Sequence, residues 1–295
     1  MTTDLHARLW DKPADLGQEA AAFLPRLRTE PWQDLSASPE GLLEGLGPVS
    51  QVVVRGLESR LLGAHISAPQ VAAWCAQSGG RFIGAAGIDP TVGQGAKRAE
   101  EALALGLKAV AVSPAAAGFD PGQWHALKLF EACEAHGLPI LCEGMEGLWG
   151  GAPSAWMEMA RPHLWDPVLR RFPRLRLCLG GIGSPWVEEA LTLLAKHEHA
   201  YADLSGLITR PAILRRAIVS AEERGIAHKL LLGSGYPFAT PAEAVTRLLT
   251  LPPPTDDATV QLRAAVRGII GRDSLLCLGI AAPPVAPSTF PQETA

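Results

Sequence analysis

"LRLCLGGIGSPWVEEALTLLAKHEHAYADLSG", residues 175–206, decides the fold. An apolar run (175–182) passes through a Gly-Ser-Pro turn into a segment of helical periodicity (185–196). A second short apolar run (200–206) follows. Strand, helix and strand in that order make a right-handed crossover between parallel neighbours. The same unit recurs in both directions. Apolar runs stand at 3–10, 51–57, 82–89, 107–114, 139–144, 175–182, 200–206 and 229–236. Helical segments read at Ala68–Gln77, Gly95–Leu105, Trp124–Ala135, Ala155–Phe172, Pro185–Lys196, Pro211–Arg224 and Pro241–Leu249. Eight strands alternating with helices predict a closed (β/α)8 TIM barrel, an α/β fold, in a single domain over residues 1–280.

Local signals support the helix starts. In "FATPAE", Thr240 can cap, Pro241 takes the first helical position and Glu243 completes a capping box. In "GSPWVEE", Ser184 precedes Pro185, with Glu188 and Glu189 in the first turn. Residues 11–49 form a long first crossover, rich in Pro and Trp, expected to pack over one barrel end. A last helix is expected over Ala258–Ile270, and a Pro-rich, disordered tail over 281–295.

Composition excludes several classes. The 295 residues are 47% hydrophobic and 19% charged, enough to bury a sizeable core. A net charge of −4, with no Lys/Arg block, argues against a nucleic-acid partner. The uncharged run 274–292 is broken by prolines, so no membrane association is expected. Five cysteines form no Cys-x-x-Cys pair, and the start has no basic segment followed by an apolar one; a reduced, cytoplasmic location is the expectation.

Four stretches carry a resemblance: "GLKAVAVSPAAAGFDP" (106–121), "ARPHLWDPVLRRFPRLRL" (160–177), residues 183–207 and "LLLGSGYPFATPAEAV" (230–245). In order and over nearly the whole chain, they resemble the amidohydrolase-related (amidohydrolase 2) family, a branch of the metal-dependent TIM-barrel hydrolases and decarboxylases. The resemblance implies a divalent metal at the carboxyl ends of the strands. Its ligands would be a His-x-His pair on the first strand, histidines on the fifth and often the sixth, and an aspartate on the eighth. This chain departs at nearly every one. The first strand reads "DLHARLW", giving His6 and Arg8, and the fifth offers Glu143 in "PILCEGM". The sixth has "GGIG", with Gly181 at the histidine position. The eighth has "GSGYP", with Gly235 where the aspartate would stand. No metal ligand set and no cofactor are therefore expected.

Strand alternation puts Asp4, His6 and Arg8 on one face, the interior in the family frame, with Leu5, Ala7 and Leu9 opposite. By the same parity Glu143 points inward. Arg8 and Glu143 are expected to form an ion pair where the metal would sit, since either one buried alone would be costly. Asp203 is similar to a family position that helps hold the seventh strand. His197 and His199 read as a solvated turn. Trp149, Arg161, His163 and Tyr236 are candidates for ligand contact around the mouth, with Trp156 beside them in the Gly-rich loop after the fifth strand.

Two readings of function follow. One is a non-catalytic pseudoenzyme, a binding or assembly subunit, homo-oligomeric or hetero-oligomeric with an active paralogue. The other is a metal-independent hydrolase, lactonase or decarboxylase using His6, Arg8 and Glu143 on a small carboxylated ligand.

Overall fold

The computed structural model describes residues 2–26, 37–145, 151–252, 259–281 and 283–285. Eight strands are β1 (Thr3–Ala7), β2 (Gln51–Arg55), β3 (Phe82–Gly87), β4 (Ala109–Val112), β5 (Ile140–Cys142), β6 (Leu177–Leu179), β7 (Ala200–Asp203) and β8 (Leu230–Leu231). They pair in sequence order, every pair parallel. The ends of that sheet meet through a bridge between Ala7 and Tyr236. Backbone bonds from Leu5 N to Leu232 O (2.9 Å), Gly235 N to His6 O (2.9 Å) and Arg8 N to Tyr236 O (3.1 Å) join them further. The predicted TIM barrel is what forms.

The strands are apolar on both sides because both sides are covered. Val52, Val54, Val110, Leu177 and Leu230 pack outward under the helices. Leu5, Val53, Leu141, Cys178 and Leu231 fill the interior. Leu275, in a short terminal helix, and Leu278 and Ile280 just after it join that interior cluster and plug the end where the strands begin. Gln51 Nε2 donates to Pro283 O (2.9 Å), which ties the following residues to the same end; the rest of the expected tail lies outside the described residues.

Two helices have the predicted bounds, Ala68–Gln77 and Pro241–Leu249. Thr240 and Glu243 form the expected capping box. Other expectations need correction. Residues 155–172 are not one helix: tight turns at Met157–Ala160 and Pro162–Trp165 precede a short helix, Asp166–Arg171. Pro162 and Pro167 each lack an N–H and restrict the residue before them, which breaks the ladder. The next helix begins at Val187, beyond Ser184 and Pro185, so Ser184 does not cap it. The helix expected over 258–270 spans Thr259–Gly271, and a short helix, Ser274–Cys277, follows it. A hairpin that periodicity does not reveal, Leu57–Ser59 against Ala64–Ile66, follows β2. Residues of the first crossover meet the loop after β5, where Glu19 accepts from Ser154 N (2.9 Å) and Ser154 Oγ (2.6 Å).

The most consequential departure is in β1. Its register runs Thr3 to Gln51, Asp4 to Val52, then Ala7 to Val54, so Leu5 and His6 together oppose Val53. This is a β-bulge, and it resets the alternation. Leu5 belongs to the interior cluster, whereas Asp4 is in register with the outward-facing Val52. The expectation that Asp4 shares the inner face with His6 and Arg8 is therefore wrong. Asp4 Oδ1 instead accepts from His6 N and Ser234 N, each at 2.9 Å, and laces the bulge to the end of β8.

Candidate functional site

Five ionisable side chains meet at the carboxyl ends of the strands, where this architecture ordinarily places its chemistry. His6 and Arg8 come from β1 and its extension, Arg55 ends β2, Glu143 follows β5 and Asp203 ends β7. All five are buried. Arg8 Nη2 lies 2.9 Å from Glu143 Oε1, so the expected ion pair is present. Arg55 Nη1 approaches the same oxygen at 3.2 Å, and its Nη2 donates to Asp203 Oδ2 at 2.6 Å. His6 sits between the carboxylates, with Nε2 3.2 Å from Glu143 Oε2 and Nδ1 3.4 Å from Asp203 Oδ2. Only a protonated imidazole can donate from both nitrogens at once.

Burial opposes every charge here, and the neighbours decide the outcome. Burial raises the Glu143 carboxyl, but Arg8, His6 and Arg55 outweigh it and hold it well below the usual range. Burial also raises Asp203, yet Arg55, His6 and the Ser205 hydroxyl bring it below its ordinary value. For His6, burial and the Arg55 charge push down, Glu143 and Asp203 push up, and the net direction is up. With His6 protonated the cluster holds three positive and two negative groups.

Two of these residues had been missed or undervalued. Arg55 drew no attention in the sequence. Its signal is a lone charge closing the run "QVVVR", in the inward parity of Val53. Asp203 does hold the strand end, accepting from Gly181 N (3.1 Å) and Ser205 N (2.9 Å), but it is also a full member of the cluster. The other candidates among the described residues are not members of this cluster. Arg161 Nη2 and His163 Nδ1 share Glu189 Oε1, at 2.9 and 3.2 Å, at the start of the helix after β6. Tyr236 packs in the apolar layer outside the barrel, its hydroxyl 3.4 Å from Ser38 O. Trp149 lies outside the described residues, and Trp156 is half exposed. His197, in the turn before β7, donates from Nε2 to Asp166 Oδ1 at 2.7 Å.

The fold is a (β/α)8 barrel with an ionisable cluster at the strand ends. The amidohydrolase family model matches residues 3–268, and the chain belongs to that family. No curated protein matches the chain. Among solved structures it is similar to an uncharacterised TIM-barrel protein from Bordetella bronchiseptica, with 19% identity and a TM-score of 0.67 over 94% of this chain and 99% of that one. It is also similar to a probable 2-pyrone-4,6-dicarboxylic acid hydrolase from Acinetobacter baumannii with citric acid bound (16%, 0.65, 95% and 99%). A third is the 5-carboxyvanillate decarboxylase from Sphingomonas paucimobilis (16%, 0.62, 95% and 99%). These likenesses are likenesses of fold.

The family implies a divalent metal, and the donors present do not fit one. Both inward carboxylates are held by guanidinium groups, and both imidazole nitrogens face carboxylates rather than an open position. A cation there would sit against Arg8 and Arg55. Among the described residues no group of three or more His, Cys, Asp or Glu side chains is arranged to hold a metal ion. At the two positions where a histidine and an aspartate would be expected, Gly181 and Gly235 have φ of 58° and 73°, a left-handed backbone that other residues adopt only at a cost. Nor is a helix long and apolar enough to cross a membrane among the described residues.

Proposed function

We propose that the chain is a metal-independent hydrolase, lactonase or decarboxylase of the amidohydrolase family, acting on a small carboxylated compound at the barrel mouth. One observation carries the reading: His6, Arg8 and Glu143 keep slight access to solvent, with Glu143 held between the two cations, whereas Arg55 and Asp203 are sealed beneath. A surplus positive charge with its open edge at the mouth favours an anion. The names of two structural relatives, a probable pyrone dicarboxylate hydrolase and a carboxyvanillate decarboxylase, support a carboxylated substrate class.

The roles follow from the contacts. Arg8 contributes a fixed positive charge that favours the substrate carboxylate. Glu143 orients both Arg8 and His6. His6, whose neighbours favour its protonated form, is the proton donor. In a decarboxylation the carbon–carboxylate bond breaks, CO2 leaves with its electrons remaining on the substrate carbon, and that carbon takes the His6 proton; solvent returns one to His6. In lactone opening water adds to the carbonyl and gives up a proton to solvent, the acyl carbon–oxygen bond breaks, the leaving alkoxide takes the His6 proton, and solvent returns one to His6. Glu143 is too well paired to serve as the base.

The test is turnover by chelator-treated protein on a panel of aromatic carboxylates and lactones. Activity is expected without added metal, falling by roughly 100-fold or more in His6→Asn. Activity that requires a divalent ion, or that His6→Asn and Arg8→Gln leave intact, would sink the reading.

A second reading, a silent subunit that self-associates or pairs with an active paralogue, draws on a different observation. Leu61, Trp156 and Met157 are exposed apolar residues, and Gly118 lies against both Leu61 and Trp156. No turnover on the panel, together with a stable oligomer by light scattering that Trp156→Ala dissociates, would favour it.

A further inference from the structure

We infer that Arg55 is the resident cation of this barrel: its guanidinium occupies the place between Glu143 and Asp203 that a divalent ion would contest, and it positions both carboxylates without a metal. The inference stands apart from the catalytic reading, since Arg55 organises the cluster whether or not a substrate is turned over.

Arg55 is fully buried, and its hydrogen bonds run to three other strands or their ends. Nη1 donates to Glu143 Oε1 after β5, and Nη2 to Asp203 Oδ2 at the end of β7. Nε and Nη2 both donate to Leu5 O on β1, at 2.9 and 2.7 Å. A carbonyl inside a parallel strand ordinarily serves the neighbouring strand. Leu5 O accepts from this side chain, and Leu5 is one of the two bulge residues. The bulge thus has a physical use: it turns a third acceptor toward the guanidinium.

Two carboxylate oxygens and a carbonyl oxygen around one buried positive group form the acceptor shell of a cation site. The cation here is covalently attached, planar and charged at every accessible pH. It cannot exchange with the medium, and it repels any second cation from the same oxygens. The backbone at the positions of the absent ligands serves the same arrangement. Gly181 N donates to Asp203 Oδ1, and Gly235 N donates to His6 O. Arg55 is therefore a positioning residue that makes the site selective against divalent ions.

The test uses the full chain as wild type, Arg55→Ala, Arg55→Lys and Arg55→Ala/Asp203→Asn, with methylguanidinium and Zn2+ as probes. Melting temperature and equilibrium Zn2+ binding are read. Arg55→Ala is expected to melt roughly 10 °C lower than wild type. Millimolar methylguanidinium should recover at least half of that loss, while leaving wild type and the double variant unmoved against sodium chloride of equal strength. A merely space-filling arginine would show no such carboxylate-dependent rescue. Wild type and Arg55→Lys, which keeps the charge, should bind no Zn2+ through His6. The inference is overturned if wild type takes up stoichiometric Zn2+ that His6→Asn abolishes. It is equally overturned if a folded Arg55→Ala keeps the wild-type melting temperature or ignores methylguanidinium. Should Arg55→Ala fail to fold, Arg55→Lys decides: folded and free of Zn2+ supports the assignment, and His6-dependent Zn2+ binding ends it.

Discussion

The two ends of the barrel interior are closed by opposite physics. Where the strands begin, Leu275, Leu278 and Ile280 press against Leu5, Val53, Leu141 and Leu231, and apolar contact does the work. Where the strands end, His6, Arg8, Arg55, Glu143 and Asp203 interlock with hardly an apolar atom between their charged groups. The first arrangement is indifferent to pH and tolerant of volume-conserving change. The second depends on the balance of five charges, and removing one leaves another buried without its partner. A cylinder this uniform in backbone therefore has one end built for stability and another whose stability is tied to ionisation, the property that chemistry uses.

The largest expected break in this contrast is Arg55→Met, which strips the shared cation from two buried carboxylates. Its loss should be about 3–5 kcal/mol in chemical denaturation, the range for breaking one side of a buried ion pair. At the opposite end Leu278→Ala should cost about 2–5 kcal/mol through a cavity. The two losses separate by pH: that of Leu278→Ala should stay constant from pH 7 to pH 4, whereas that of Arg55→Met should shrink as the carboxylates take up protons. Equal pH dependence for both would erase the distinction between the ends.

Acid unfolding sharpens it further. Glu143 and Asp203 have folded pKa values below their unfolded ones, so their contribution is full above about pH 4 and is lost as pH falls through the depressed folded values. Wild-type melting temperature should decline below about pH 4, and less steeply in Asp203→Asn. Protonated His6 has the opposite sign: its raised folded pKa adds stability below about pH 6.5 that disappears as pH rises through the folded value. The smallest effect belongs to Arg8→Gln. Glu143 then still has Arg55 and His6, so a loss of about 1–3 kcal/mol is expected.

The same contrast explains what the sequence discloses. The apolar end is legible because period and turn chemistry are local, and the capping box at Thr240 and Glu243 appears as read. His6, Arg8 and Glu143 are legible because a resemblance pins their register to the strand ends. Arg55 is not, since its meaning resides in partners 88 and 148 residues away. Asp4 misleads for a different reason. Alternation assumes an unbroken strand, and a bulge, here bound up with the Arg55 contact to Leu5 O, reverses the parity within two residues. Within 155–172 the apolar spacing suggests one helix, whereas Pro162 and Pro167 break it into turns and a short helix.

Calorimetric titration of isophthalate, a minimal carboxylated aromatic, into chelator-treated protein tests the metal-free site most directly. The account predicts one site per chain, saturable without divalent ions and weakened roughly tenfold or more by Arg8→Gln in a protein that remains folded. Binding that appears only after a divalent metal is added, or that Arg8→Gln leaves unchanged, would contradict it.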